Sequence, residues 1–235
     1  MNTIQKIKPK LSADTIHTFL INLDNFDLIE SESYLSIEEK ERSEKIKFQK
    51  RQFIITRTVL RQLLANILNV TPDKVSFSYT SYLKPYISDK INEKNIQFNI
   101  SHSKNFALIG ISLETEIGID IQAIDHRIEI QSLSNRFFSQ REKEILNKLS
   151  GGEKLNAFYQ IWTNKESFIK ADGRGISFGL EKFSSLNINS PSKSKVITTK
   201  PVRGEWFTYN LECPKEYRAA LTCNKPDIHI QTQWF

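Results

Sequence analysis

"WTNKESFIKADGRG" (residues 162–175) has the pattern of an amphipathic helix that stops at a glycine. At 3.6 residues per turn, the apolar side chains of this region share one face: Phe158, Ile161, Trp162, Phe168 and Ile169. Lys165 falls in the middle of that face, and Glu166 lies at its edge, one turn before Lys170. A charge in an apolar face is costly unless another group compensates it. We therefore expect a counter-ion for Lys165, either a side chain of the protein or a ligand.

The order of elements around this helix predicts the fold class. Strand-like and helical patterns alternate in blocks: a strand at 15–23, helices at 36–48 and 52–68, strands between 75 and 124, helices at 131–149 and 154–171, and strands in the last quarter. This order predicts an α+β fold of two similar lobes, each a small, mainly antiparallel sheet packed with helices. We place the N-terminal lobe at 1–112 and the C-terminal lobe at 113–235.

Composition restricts the class of protein. Hydrophobic residues make up 39% of the 235 residues, which is typical of a globular chain, and no segment approaches the roughly 20 apolar residues of a membrane span. The first 20 residues have no apolar core of a secretory signal, and the two cysteines are not in metal or redox spacing, so we expect a cytoplasmic protein without a membrane anchor. The formal charge of +6 favours anionic partners.

A carboxylate interrupts the β run "IGIDIQ" at 117–122. Alternation along a strand places Gly118, Asp120 and Gln122 on one face. An aspartate there is a natural ligand for a hard cation, and the glycine would leave room for a phosphate. The alternative is that this face of the strand is simply exposed to solvent.

Four other residues carry candidate chemistry, each with a structural alternative. His102 lies among serines at a strand end, where it could bind an anion or be an ordinary polar loop residue. Glu142 follows Ser139 with the spacing of a capping box and could cap a helix or act as a base. Glu166 and Lys170 could form only a helix-surface ion pair.

Four motifs in this order resemble the 4'-phosphopantetheinyl transferase superfamily, and most closely its longer, surfactin-synthetase-activating type. They are "NISHS" at 99–103, "GIDI" at 118–121, "RFFSQRE" at 136–142, and the W-x-x-K-E-S-x-x-K pattern at 162–170. "YLKPYI" resembles the Y-G-K-P element of that type, with Leu83 in place of the glycine, and "FIITRTVLRQLL" resembles its arginine-bearing helix. The resemblance covers about residues 34–185.

The resemblance implies a fold, a reaction and a set of partners. The fold would be a pseudo-dimer of two α+β lobes with the coenzyme A site at their interface. The reaction would move the 4'-phosphopantetheine arm of coenzyme A to a serine of an acidic acyl or peptidyl carrier protein and release adenosine 3',5'-bisphosphate. A monomer is expected, because the pseudo-dimer would supply both walls of the site.

The resemblance also implies roles for individual residues. Asp120 and Glu166 would hold Mg²⁺, with Gln122 as an oxygen ligand or replaced by water, since many members carry glutamate at that position. Glu142 would accept the proton of the carrier serine, and Lys170 would neutralise charge on the leaving phosphate. The coenzyme A contacts would come from six residues: Lys165, Lys170, Ser101 and His102, with Arg57 and Lys84 near the 3'-phosphate. On this interpretation, the substrate is the counter-ion of Lys165.

Two other classes of function fit part of the pattern. A nucleic-acid-binding protein would suit the positive charge, but the basic region at 40–61 alternates with glutamates and contains no recognised nucleic-acid motif. A family member without catalytic activity could act only as a carrier-binding module. We expect the transferase, and no binding of nucleic acid.

Overall fold

The computed structural model describes residue 4 and residues 7–185 and 192–235. They form two compact units, Met1–Glu114 with His229–Phe235, and Thr115–Ile228. Both units combine helices with small, mainly antiparallel sheets, so the α+β prediction is confirmed. The last strand differs from the expected C-terminal lobe of 113–235, because His229–Trp234 pairs in parallel with Thr15–Asn22 of the first unit. This pairing is between strands more than 200 residues apart in the chain, so a local sequence pattern does not predict it.

The described residues of the first unit form a four-stranded sheet, a two-stranded hairpin and three α-helices. In chain order its elements are β1 (Thr15–Asn22), α1 (Leu28–Glu32), α2 (Ile37–Lys45), α3 (Lys50–Leu68), β2 (Phe77–Tyr79), β3 (Pro85–Ile87), β4 (Ile96–Ser103) and β5 (Phe106–Leu113), with the C-terminal strand (His229–Trp234) as β12. The sheet has the order β12-β1-β5-β4, and β2 pairs with β3 as a separate hairpin. Helix α3 is buried along most of its length, so it forms much of this unit's core with the apolar side chains of β1, β4 and β5.

The second unit is built around the longest helix. Its elements are β6 (Ile117–Ala123), α4 (Ile130–Phe137), α5 (Gln140–Asn147), α6 (Gly151–Asp172), β7 (Phe183–Ser184), β8 (Lys193–Lys195), β9 (Ile197–Thr198), β10 (Phe207–Leu211) and β11 (Tyr217–Cys223). The main sheet has the order β6-β11-β10-β8 and is antiparallel between neighbours. Helix α6 contacts β6, β11 and β10, so one helix packs across most of the sheet.

The helical pattern at 131–149 is interrupted. Phe138 has an extended backbone (φ −98°, ψ 145°), and Ser139 begins a new helix with a capping box to Glu142. The predicted capping box is therefore confirmed, and it divides one expected helix into α4 and α5. The capping box predicted at Ser36 and Glu39 is also present, at the start of α2. Among the described residues, no helix is both long and apolar enough to cross a membrane.

Candidate active site

Helix α6 packs directly on strand β6 at Gly118. A Cβ atom added to this glycine would lie 2.1 Å from the backbone oxygen of Ser167 and 2.3 Å from the backbone nitrogen of Ala171. The space beside Gly118 is therefore filled by the helix, and the expectation that it leaves room for a phosphate is wrong. Only glycine permits this approach, because backbone atoms of the helix cannot turn away as a side chain can.

The close contact brings Asp120 of β6 to Lys170 of α6. Lys170 Nζ donates a hydrogen bond of 2.7 Å to Asp120 Oδ1. Asp120 is only 1% exposed, whereas the side chain of Lys170 retains 29% of its exposure. The alternative that Asp120 faces solvent is therefore wrong. The structure pairs Lys170 with the buried Asp120, and Lys170 also acts electrostatically on Glu166 one turn before it.

Glu166 lies half-buried on the same helix, one turn before Lys170. Burial and, to a lesser extent, the negative charge of Asp120 raise the pKa of Glu166 to about 7, and Lys170 partly opposes both effects. Asp120 and Glu166 are carboxylates that repel each other where little water can screen them. A cation bound between them would therefore be favoured.

The donors at this place suit a hard divalent cation. Asp120 and Glu166 supply carboxylate oxygens, and the half-buried Gln122 stands two residues after Asp120 on β6. Oxygen donors of this kind are the preferred ligands of Mg²⁺, which completes its coordination shell with water or substrate oxygens. Within the described part of the chain, no group of three His, Cys, Asp or Glu residues could hold a metal by itself. A metal here would therefore need the amide of Gln122, water or substrate.

Lys165 is fully buried and has its counter-ion inside the protein. Its Nζ lies 2.7 Å from Glu142 Oε2 and donates to the carbonyl oxygens of Leu180 (2.8 Å) and Phe183 (2.6 Å). An ammonium group has three N–H donors, and these three acceptors use all of them. The prediction that the substrate is the counter-ion of Lys165 is therefore wrong. Burial lowers the pKa of Lys165, and Glu142 opposes that effect.

Glu142 is equally enclosed. Its Oε2 accepts from the backbone nitrogen and the hydroxyl of Ser139, both at 2.9 Å, and its Oε1 accepts from the nitrogen of Ser185 at 3.2 Å. With Lys165 as a further partner and no exposed surface, this carboxylate cannot contact a serine of another protein. The prediction that Glu142 is the base conflicts with this burial. The alternative role in the capping box is the one observed.

Arg57 is also paired within the protein. It lies in α3 with 3% exposure, its Nε is 3.2 Å from Glu39 Oε1, and its guanidinium lies 4.8 Å from the ring centre of Phe77. Arg61, one turn later, binds the other oxygen of Glu39 at 2.5 Å. Burial lowers the pKa of Arg57, and Glu39 opposes the shift. The structure places Arg57 in the core of the first unit beside Glu39, and its contact with a 3'-phosphate stays a prediction.

The other candidates of the first unit lie at the end of a strand and in a turn. Ser101 and His102 lie near the C-terminal end of β4, where they pair with Leu108 and Ala107 of β5. Ser101 is buried and His102 is half-buried. Lys84 is half-buried in the turn between β2 and β3. The residue before it, Leu83, has φ 63°, a left-handed conformation that favours glycine. This explains why a glycine suits that position of the turn.

The sequence interpretation missed the hydroxyl contacts that fasten α6 to the sheet. Ser167 Oγ lies 2.7 Å from Thr222 Oγ1, which lies 2.9 Å from Thr208 Oγ1, and all three side chains are buried. The sequence contained a signal for this close contact. Helix α6 has small residues one turn apart, Ser167 and Ala171, and they face Gly118 of β6. Small residues on both sides indicate a close backbone approach.

Comparison with known proteins supports the resemblance to the 4'-phosphopantetheinyl transferase superfamily. A family model described as the 4'-phosphopantetheinyl transferase superfamily matches residues 116–222, and one described as 4'-phosphopantetheinyl transferase, N-terminal, matches residues 25–113. The chain is 35% identical over 187 residues to the 4'-phosphopantetheinyl transferase HetI of Nostoc sp., covering 78% of this chain and 79% of that protein. It is 32% identical over 199 residues to the 4'-phosphopantetheinyl transferase ffp of Bacillus subtilis, covering 83% and 85%.

A solved structure gives a weaker likeness. The holo-(acyl-carrier-protein) synthase of Bacillus anthracis, in complex with CoA, has a TM-score of 0.40 and 22% identity over 46% of this chain and 93% of that one. A likeness at this level carries no argument about the site. The two family models and the relatives above 30% identity show the family. This chain belongs to the 4'-phosphopantetheinyl transferase superfamily.

Proposed function

We propose that this protein transfers the 4'-phosphopantetheine arm of coenzyme A to a serine of an acyl or peptidyl carrier protein. The observation that carries the proposal is the group formed by Asp120, Glu166 and Lys170 where α6 meets β6. In this reaction the serine oxygen forms a bond to the β-phosphorus of coenzyme A. The bond from that phosphorus to the bridging oxygen of the pyrophosphate breaks, and adenosine 3',5'-bisphosphate leaves.

We propose Mg²⁺ as the metal, held by Asp120 and Glu166, with Gln122 as a neutral oxygen ligand or replaced by water. The support is the donor set: the carboxylate of Asp120, the carboxylate of Glu166, whose pKa Asp120 helps to raise, and the amide of Gln122 on the same strand as Asp120. When bound, Mg²⁺ supplies positive charge against the pyrophosphate oxygens. Asp120 has little freedom to move, since it is buried and held by Lys170, so it presents a preorganised ligand.

Lys170 is the residue of this chain that we propose to neutralise the leaving group. Its ammonium is already partly exposed while it binds Asp120. Phosphoryl transfer depends on positioning and on charge placed where negative charge develops, and a lysine on a rigid helix supplies both. The contact with Asp120 holds this lysine in the site when no substrate is bound.

The serine proton needs an acceptor other than Glu142, which is enclosed. Asp120 is buried against Lys170, whereas Glu166 keeps part of its surface accessible. We therefore propose that the proton leaves through Glu166, directly or through a water molecule. Geometry supports this choice, because a group that receives a proton from another protein must be reachable by it.

The first unit contributes three candidates for binding coenzyme A, which are Ser101, His102 and Lys84. Their support is their position at a strand end and in a turn, with donors suited to phosphate oxygens. Arg57 is a fourth candidate, although it is buried beside Glu39. The net positive charge also suits an acidic carrier protein as the second substrate.

We further propose a cytoplasmic monomer that binds neither membranes nor nucleic acid. Both cysteines, Cys213 and Cys223, are free thiols, which suits a reducing compartment. One chain already contains two α+β units, so a second copy is not needed to supply a second sheet and helix. Sedimentation at several protein concentrations tests this point, and a stable dimer or trimer would contradict it.

The function is tested by mass spectrometry of intact carrier proteins. The protein is incubated with coenzyme A, MgCl₂ and apo-carriers of both fatty-acid and peptide type, and the expected result is a gain of one phosphopantetheine group on the carrier. Controls are carriers with the acceptor serine changed to alanine, the reaction with EDTA, and the Glu166→Gln variant. Absence of the mass gain on every carrier would contradict the proposed function. Transfer that persists in EDTA would contradict the role of the metal.

A further inference from the structure

Glu142 and Lys165 form a fully buried ion pair of the second unit that the proposed reaction does not use. It joins three parts of the chain. Glu142 belongs to α5 and also binds Ser139 and Ser185, while Lys165 belongs to α6. Lys165 in turn binds the carbonyl oxygens of the segment after α6, at Leu180 and Phe183.

Every hydrogen-bonding group of the pair is occupied by the protein. The three donors of the lysine have three acceptors, and each oxygen of the glutamate has at least one donor. The ammonium also lies 4.3 Å from the ring centre of Phe183. A buried ion pair is tolerated when its remaining hydrogen-bonding groups are satisfied in this way, and it then acts as one neutral unit.

The pair bears on the active site through the geometry of α6. Lys165 is the residue directly before Glu166, and neighbouring residues of an α-helix are about 100° apart around its axis. The direction in which Lys165 is held therefore fixes the direction in which Glu166 points. The same rotation places Lys170, one turn after Glu166, at Asp120.

We propose that Glu142 and Lys165 are positioning residues that act as a pair: they hold α6 in the orientation at which Glu166 and Lys170 lie beside Asp120. Neither residue exchanges a proton with the carrier serine or touches coenzyme A. The kinetic part of this inference rests on the proposed transferase function, whereas its structural part does not.

A pair of this kind predicts an unusual relation between single and double variants. Glu142→Gln keeps the side-chain shape and the capping oxygen but leaves the ammonium of Lys165 without a counter-charge. Lys165→Met leaves the carboxylate without one. Removing one partner of a buried pair is more damaging than removing both, because only the single change leaves an uncompensated buried charge. The combination of the two changes should therefore be milder than either alone.

The experiment compares wild type, Glu142→Gln, Lys165→Met, the double variant and Glu144→Gln, an exposed glutamate of the same helix, as the matched control. Thermal unfolding gives Tm. The rate constant kcat and the Mg²⁺ concentration for half-maximal rate are measured at a temperature where circular dichroism shows all five proteins to be folded. We expect the single variants to lose about 10 °C in Tm and about 10- to 100-fold in kcat, with a several-fold higher Mg²⁺ requirement. The double variant should recover most of each loss, and Glu144→Gln should match wild type.

Each contrary result has a defined meaning. If Glu142→Gln retains the Tm of wild type but loses kcat, and Lys165→Met does not restore it, Glu142 is a base and the inference is wrong. If Tm falls but kcat and the Mg²⁺ requirement of the folded variants are unchanged, the pair only stabilises the fold and the positioning role is wrong. If wild type modifies no carrier, the proposed function fails, while the order of Tm values still tests whether the two residues act as one neutral pair.

Discussion

Replacing Gly118 by alanine should separate helix α6 from strand β6. The added Cβ would lie 2.1 Å from the oxygen of Ser167, whereas ordinary contacts begin at 3.4 Å. The opposing atoms belong to the helix backbone, so the helix itself must move by about 1.3 Å. A displacement of that size is enough to break the 2.7 Å hydrogen bond between Lys170 and Asp120.

The expected effects follow from this displacement. Overpacking against backbone should cost about 3 kcal/mol of the free energy of unfolding, which lowers Tm by roughly 6–12 °C for a chain of this size. Displacing a catalytic group by about 1 Å can cost on the order of 100-fold in rate. We therefore expect transfer by Gly118→Ala to fall by about that factor even where the variant is fully folded.

The assay measures Tm by circular dichroism and the initial rate of carrier modification at a temperature at which both proteins are folded. Gly152→Ala is the matched control, because Gly152 lies in the first turn of α6 and an added Cβ there meets no atom within 4 Å. It should leave the rate unchanged and raise the free energy of unfolding by about 0.5 kcal/mol. If Gly118→Ala matches wild type in both Tm and rate, the close approach of α6 to β6 does not set the site's geometry.

Three further predictions concern the site itself. Since the pKa of Glu166 is raised to about 7 from 4.5, its favourable contribution to stability is complete below pH 4.5 and is lost as the pH rises through 7. Denaturant titrations without metal should show a loss of about 2 kcal/mol over that range, after allowance for solvent screening, and the same titrations of Glu166→Gln should lack it. Gln122→Ala should slow transfer far less than Asp120→Ala, and Gln122→Glu should lower the Mg²⁺ concentration for half-maximal rate; equal damage from Gln122→Ala and Asp120→Ala would make the glutamine an essential ligand. Lys170→Met should cost about 2 kcal/mol, because it leaves the buried carboxylate of Asp120 without its partner, and should lower kcat by about 100-fold; an unchanged kcat would remove this lysine from the mechanism.

Much of the site could be predicted because its residues belong to motifs in which the key positions are only a few residues apart. The capping box at Ser139 and Glu142, the helix that carries Glu166 and Lys170, and the strand that carries Asp120 were all predicted from local patterns and are present in the structure. The family follows from four such motifs in order. Local patterns suffice here because capping, helical periodicity and strand alternation each depend on residues a few positions apart.

The partners of the charged residues could not be predicted in this way. Lys165 was correctly expected to need a counter-ion, but the sequence offered both a ligand and a side chain, and only the packing of α5 against α6 identifies Glu142. In the same way, Arg57 proved to be paired with Glu39 in the core of the first unit. A counter-ion is selected by distance in space, and residues far apart in the chain become neighbours only after folding.

The sequence by itself determined the fold class, the family, and which residues stand on the helix and strand of the proposed active site. Only the tertiary structure decided which of these residues remain available for chemistry. It leaves Glu166 partly exposed, fastens Lys170 to Asp120, and encloses Glu142 with Lys165. It also placed the last strand of the chain beside the first. The physical reason is the same in each case: periodicity is a property of neighbouring residues, whereas burial and ion pairing are decided by contacts between segments that are distant in the chain.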